Sequence, residues 1–407
     1  MQRSYLSGKP LAWIFSLIYF ASYTSRINFA AIIQEIVTST GFSKTALSVV
    51  LVSLSVTYGI GMVINGKIGD HVKPQNLILC GLLSTTLINL LFPFFSASVT
   101  AMAILWGFNG FAQAMMWPPI VKILVANTNN EAYGYAVVRV SWGSSFGTIF
   151  VYLTAPLIIS LLGWKEVFGL SALIGIGTTV LWILLMGRIY SEPAAPVGRS
   201  APKNASPAHF PRAAIFPLCF IVLGIVLQGM LRDGVTSWMP TYLAEVFQLG
   251  NQTSILCTVS LAVFSILSFS LVGEIHRRFF RNEVACAATV YVLAFASALA
   301  LFLFFDAGAI PAIAMMTLLT GCMHAVNLML VTHVPKRFKK YGNISTISGA
   351  INASTYAGSA IFSYGVSALS ESIGWRNTVG VWAVIALLGI AVCLVAMRPW
   401  KAFALDS

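Results

Sequence analysis

Three arginines interrupt long apolar runs of this 407-residue chain: Arg26 in SYTSRINF, Arg139 in VVRVSWG and Arg232 in GMLRDGVTSWMP. A charge at the centre of a bilayer-spanning helix costs about 2.5–3.5 kcal/mol on insertion scales. Such a cost calls for a role. Arg26 and Arg232 are displaced by 206 residues and fall in equivalent helices of two halves of the chain. A pseudo-two-fold arrangement of those halves would bring them towards each other across a central cavity. Two converging guanidiniums make an anion site, because the planar fork binds phosphate or carboxylate bidentately and stays charged at any pH. Asp233 is the obvious rival partner for Arg232. Sequence neighbours on a helix point about 100° apart, so a good direct pair between them is not expected. Arg139 lies about two turns inside the end of its run, from where it can snorkel to the interface.

The elements that must position these groups follow from composition. Hydrophobic types make up 58% of the chain and charged types 9%, against roughly 25% charged in a soluble protein. A soluble enzyme, a nucleic-acid binder and a disordered chain are excluded. A spanning helix needs roughly 20 apolar residues, and twelve runs qualify: 10–35, 45–66, 75–97, 99–122, 132–161, 165–188, 213–245, 252–274, 283–305, 309–333, 343–370 and 376–397. The fold class expected is all-α, a polytopic membrane protein of twelve helices in two pseudo-symmetric six-helix bundles. Of the 24 basic residues, 18 fall on the side holding both termini and only Lys44, Lys165 and Arg376 on the other. That asymmetry places both termini in the cytoplasm and explains most of the net charge of +12 as topology.

Residues 189–211, rich in Pro, Ala and Ser, read as an extended cytoplasmic linker. They separate an N-terminal bundle, 1–188, from a C-terminal bundle, 212–407. The halves echo each other: GWKEVFGLSALIG from Gly163 matches GWRNTVGVWAVIA from Gly374, and Gly66 matches Gly273. The first run is too long for the apolar region of a signal peptide and reads as a retained span. The six cysteines show no CxxC spacing and read as small core residues. No cofactor or metal is expected. There is no nucleotide loop, metal cluster or nucleophile elbow, so the chain does not read as an enzyme.

The strings around the arginines carry a family resemblance. They are YFASYTSRINF from Tyr19, Tyr58-Gly59 followed by GKIGDH from Gly66, FNGFAQAMMWPP from Phe108 and LRDGVTSWMPTYL from Leu231. Together they resemble the organophosphate:phosphate antiporter family of the major facilitator superfamily, over nearly the whole chain. The resemblance implies that Arg26 and Arg232 bind a phosphoryl group. It also implies that Tyr19, Tyr23, Tyr58 and Tyr356 (in STYAGSA) donate hydroxyls to it or stack on a sugar. Asn28, Trp117 and Trp238 enter the candidate set from the same strings. Core packing is the alternative for each ring. Three departures stand out: Met62 replaces a lysine, Gly143 or Ser144 replaces a histidine, and Asp233 replaces an uncharged residue. His324 and Asn327, one turn apart, are placed to read the organic part of a substrate, or His324 is a hydrogen-bonded core residue. Asp70 in GKIGDHVKP reads as a conformational latch, and Gly59, Gly61, Gly66 and Gly69 as points of close helix approach.

The function this implies is exchange of a small organophosphate for inorganic phosphate by alternating access, because closing a cavity around two arginines without an anion strips water from both charges. Proton-coupled symport of a small organic carboxylate is the alternative, with Asp233 or His324 titrating. A third is a sensor that binds sugar phosphate without moving it. The partners expected are a small anionic substrate, inorganic phosphate and the lipid bilayer, with no nucleic acid. The location implied is a bacterial inner membrane, multi-pass, as a monomer.

Overall fold

The computed structural model describes residues 8–128, 130–189, 211–280, 282–341 and 344–406. All but the ends of the expected linker, 189–211, lie outside the described residues. The chain falls into two compact units, Met1–Ser200 with Asn251–Val259, and Ala201–Gly250 with Ser260–Ser407. Unit 1 holds α1 (Lys9–Ala31), α2 (Ile33–Thr40), α3 (Lys44–His71), α4 (Pro74–Leu91), α5 (Val99–Gln113), α6 (Trp117–Asn127), α7 (Asn130–Leu162) and α8 (Glu166–Met186). Unit 2 holds α9 (Arg212–Val246), α11 (Val259–Phe279), α12 (Glu283–Leu303), α13 (Ala309–Asn327), α14 (Ile344–Ser372) and α15 (Gly374–Asp406). The short helix α10 (Asn251–Cys257), read from the sequence as part of the second bundle, groups with unit 1, where Asn251 Nδ2 donates to Glu35 Oε2 at 2.7 Å.

Among the described residues each of the twelve apolar runs is helical, and the long ones break where the local chemistry changes. The fourth stops at Gln113 and restarts at Trp117, because Pro118 and Pro119 lack amide hydrogens and as a pair are accommodated in the first turn of a new helix. The tenth ends in a wider turn, Leu328–His333. The repeated Gly-Trp strings also find their reason. Gly163 has φ +96° and Gly374 φ +79°, left-handed corners that favour glycine and that open the last helix of each unit.

Among the described residues, ten helical segments are long and apolar enough to cross a membrane. The first and eleventh expected spans are the exceptions. At 23 and 29 residues α1 and α14 are long enough, since about 20 residues cover the hydrocarbon core. Their polarity sets them apart. α1 buries Ser16, Ser22, Thr24, Ser25 and Asn28, and α14 buries Thr355, Ser359, Ser363 and Ser367 at four-residue intervals along one face. Those faces are turned into the protein and away from lipid.

Both polar helices are held by backbone-close packing. A Cβ on Gly143 of α7 would lie 2.1 Å from the Ser16 carbonyl oxygen of α1. In unit 2 the same relation joins α9 and α14: a Cβ on Gly229 would lie 2.1 Å from the Thr355 oxygen, and one on Gly358 2.0 Å from the Val226 oxygen. Small residues let membrane helices approach until dispersion and weak backbone contacts replace the hydrophobic drive that lipid cannot supply. Of the second-span glycines, Gly61 approaches α5, with a Cβ 2.9 Å from that of Ala114, whereas Gly66 has open space around it.

A methyl group at Gly358 must therefore push two backbones apart. Gly358→Ala is expected to cost about 1–3 kcal/mol and to lower the thermal midpoint in detergent by several degrees. Gly177→Ala in α8, where nothing lies within 4 Å, should leave the midpoint unchanged or raise it slightly. Equal midpoints for the two variants would refute the packing argument.

Candidate functional site

In unit 1, Tyr19, Tyr23 and Arg26 follow one another at intervals of four and three residues and so share one face of α1. The Arg26 guanidinium carbon lies 4.6 Å from the centre of the Tyr58 ring of α3 and 5.6 Å from that of Tyr23. Both fall within cation–π range. The rings continue the cluster, with Tyr19 5.9 Å from Tyr23 and 5.3 Å from Trp117 at the start of α6. The structure thus gathers Arg26, Tyr19, Tyr23, Tyr58 and Trp117 from three helices. Their polar tips and one positive charge suit an anion carrying a hydroxylated or ring-shaped body.

Behind this face a buried polar network fixes α1. Asn109 Nδ2 of α5 donates to the Ser25 carbonyl at 2.9 Å, and Thr85 Oγ1 of α4 donates to Asn109 Oδ1 at 2.9 Å. Asn28 Nδ2 donates to Asn89 Oδ1 of α4 at 2.8 Å and to Ser171 Oγ of α8 at 3.0 Å. Gln113 Nε2 donates to the Ser22 carbonyl at 3.0 Å, while Ser22 Oγ donates back to the Gln113 side chain. Two of these bonds run to the backbone of the helix that carries Arg26, and Asn28 ties its side chain to α4 and α8, so together they set its rotation and height. Sequence reading did not single out Asn89, Asn109, Gln113 or Ser171. Their signal was present as amides and hydroxyls inside apolar runs, each of which needs a buried partner.

Unit 2 differs in chemistry. Arg232 Nε donates to Asp233 Oδ1 at 2.6 Å and its Nη2 to Oδ2 at 2.8 Å, a two-pronged ion pair with both side chains largely shielded. This corrects the expectation that adjacent residues cannot pair well. The 100° offset applies at Cβ, and the three-carbon stem of arginine spans the arc between the two. One turn earlier on α9, fully buried Gln228 donates to the Met323 carbonyl at 3.1 Å and meets Asn327 Nδ2 at 3.5 Å. His324, on α13 with Asn327, stands edge-to-face against Phe269 at 5.4 Å and lies within electrostatic reach of Arg232 and Asp233. Tyr356 of α14 is nearly buried.

Two candidates are enclosed by neighbouring helices. Asn28 is fully buried in the network above. Trp238 is also fully buried, donating from Nε1 to the Ser363 carbonyl at 3.0 Å. The Asp70 side chain lies outside the described residues. Gly143 is a helix contact where no side chain fits, so the missing fifth-span histidine could not be restored there without moving α1. Arg139 packs with other rings, those of Trp13, Tyr135 and Trp142. Among the described residues no group of three or more His, Cys, Asp or Glu could hold a metal ion.

Comparisons with known proteins agree with this architecture. The sequence model of the Major Facilitator Superfamily matches residues 15–363. A glycerol-3-phosphate transporter of Bacillus subtilis (strain 168) is 28% identical over 294 residues, 67% of this chain and 66% of the relative. A probable hexose phosphate transport protein of Chlamydia muridarum is 26% identical over 179 residues, 44% of this chain and 38% of the relative. The membrane sensor protein UhpC of Escherichia coli (strain K12) is 31% identical over 108 residues, 26% of this chain and 24% of the relative. The matches thus span from about a quarter to just under two thirds of these relatives' lengths. Among solved structures, a point mutant of the nucleoside transporter NupG superposes with a TM-score of 0.77 at 12% identity, covering 95% of this chain and 99% of that one. A bacterial homologue of the human lysosomal transporter Spinster gives 0.74 at 14% identity, covering 97% and 98%. At such identities the likeness is one of fold. With 349 residues matched by one family model and the same helical fold on both sides of the comparison, this polytopic membrane protein belongs to the major facilitator superfamily.

Proposed function

We propose that the chain is a secondary transporter that exchanges a small organophosphate, a sugar or glycerol phosphate, for inorganic phosphate. The observation that carries this reading is the Arg26 cluster. A guanidinium seated on the Tyr58 and Tyr23 rings, with Tyr19 and Trp117 beyond it, presents its charge beside surfaces that stack on a polyol or sugar. The names of the glycerol-phosphate and hexose-phosphate relatives support the same substrate class. In this proposal Arg26 and Arg232 supply the guanidiniums for the phosphoryl group. Tyr19, Tyr23, Tyr58, Tyr356 and Trp117 frame it, and Asn327 and His324 contact the organic part. Closing around charged arginines without an anion strips their water without replacing it, and this couples the return step to binding.

Asp233 favours a second reading. A carboxylate already forked onto Arg232 neutralises that guanidinium when no substrate is bound. The incoming anion must displace it, and a displaced carboxylate can take up a proton. That is the chemistry of proton-coupled uptake of a small anion.

Proteoliposomes loaded with inorganic phosphate separate the two. Exchange predicts uptake of glycerol-3-phosphate or glucose-6-phosphate that needs internal phosphate and no pH gradient. Uptake that needs an inward proton gradient and ignores internal phosphate would establish the symport reading instead. Arg26→Lys keeps the charge and loses the planar fork, so exchange is expected to fall by roughly 10–100-fold, the worth of a charge-assisted hydrogen bond. Unchanged counterflow by this variant would remove Arg26 from the site.

Asp233→Asn removes the internal competitor at Arg232. A lower KM for the anion, by up to about tenfold, and slower efflux into substrate-free buffer are expected, each 1.4 kcal/mol corresponding to a factor of ten. A raised KM in this variant would show instead that Asp233 holds Arg232 in its binding posture.

A further inference from the structure

The third intramembrane arginine is surrounded differently from the other two. The Arg139 guanidinium carbon lies 3.7 Å from the centre of a ring of Trp142, 4.6 Å from Tyr135 and 5.8 Å from Trp13. Tyr135, Arg139, Trp142 and Phe146 recur at intervals of four, three and four residues, so they form one stripe along α7. One end of this stripe and the surface beside it are exposed, and its other members are partly so. Phe146 is 44% exposed, neighbouring Val138 49%, and Trp13 on α1 48%. An aqueous surface is not built of such residues, and a lipid-facing one is.

The depth fits a headgroup. Tyr135 opens the apolar span Tyr135–Leu162, and Arg139 follows it by four residues, about 6 Å along a helix rising 1.5 Å per residue. Tryptophan and tyrosine concentrate at this level of a bilayer, where the acyl chains meet the headgroups. Trp13 stands near the same end of unit 1, in the first turns of α1 beside Lys9. By the distribution of basic residues, that end borders the cytoplasmic leaflet. Trp13 and Arg26 are separated by 13 residues of one helix, about 20 Å, so the two arginines stand at different depths.

Rings that stack on a guanidinium take its faces and leave its donors, which all lie in its plane. Arg139 Nε is buried and has no hydrogen-bond acceptor among the described residues. A donor edge in a hydrocarbon boundary, walled by rings and wanting an acceptor in its own plane, matches a phosphodiester, whose two non-bridging oxygens accept side by side. We propose that Trp13, Tyr135, Arg139 and Trp142 form a binding site for the phosphate of an anionic phospholipid in the cytoplasmic leaflet. A net-anionic lipid is favoured over a zwitterionic one, because the guanidinium already occupies the aromatic cage and repels a choline cation.

Native mass spectrometry of the full chain in detergent tests this, with equimolar phosphatidylglycerol and phosphatidylcholine of identical acyl chains. The wild type is expected to retain phosphatidylglycerol in several-fold excess. Arg139→Gln should abolish the preference, and Trp142→Leu should reduce it. Arg26→Lys should leave it intact, since the transport cluster is not involved. Equal retention of both lipids by the wild type overturns the proposal even if Arg139→Gln does not fold. Displacement of phosphatidylglycerol by millimolar inorganic phosphate also overturns it, by assigning the site to the free ion.

Discussion

Carrying a positive charge inside a hydrocarbon layer is the constraint on which the rest of this structure depends. Lipid offers a guanidinium neither water nor counter-ion, so the protein must supply what surrounds it. The three intramembrane arginines show three answers. Arg26 is laid against tyrosine faces, whose quadrupoles attract it without neutralising it. Arg232 is neutralised by the carboxylate next to it. Arg139 is walled in by tryptophan and tyrosine near a membrane boundary. The first of these settings is the one that also suits the body of a polyol phosphate, and the buried amide network of unit 1 is spent on holding the backbone behind it.

The two units repeat a packing scheme but not a site. In each, the arginine-bearing helix rests on a partner through glycines so close that a Cβ would meet a carbonyl oxygen. That contact fixes the backbone frame and leaves the surroundings of each arginine free to diverge. Unit 1 has used this freedom for aromatic rings. Unit 2 has used it for Asp233, Gln228, His324 and Asn327.

Much of this was legible in the sequence because membrane burial simplifies the code. Twelve apolar runs and the echo between Gly163 and Gly374 give the helices and their corners through local properties. Arg26 with Tyr19 and Tyr23 was legible too, since residues three and four apart on a helix must share a face. Contacts between helices were harder to read. Asn109 and Asn89 meet the carbonyl of Ser25 only because α4, α5 and α1 pack at one height, which no single run encodes. The Arg232–Asp233 fork was missed for another reason: a rule about Cβ directions was applied to a side chain long enough to escape it. Asn28 and Trp238 were drawn into the candidate set by the strings they stand in, although nothing in a string distinguishes a residue facing a cavity from one facing a neighbouring helix.

The polarity of α1 also bears on how the protein is made. Chains enter the bilayer in the order in which they are synthesised, and each helix is judged for hydrophobicity when it arrives. α14 arrives after α9, so the partner that receives Gly358 is already in place. α1 arrives before α4, α5 and α8, whose Asn89, Asn109 and Ser171 later occupy its amides and carbonyls. During that interval Ser25 and Asn28 lack those partners. The helix on which the proposed anion site depends is therefore the one whose entry most needs shelter from the insertion machinery. A substitution in α4 or α5 can harm α1 before the protein has ever met a substrate.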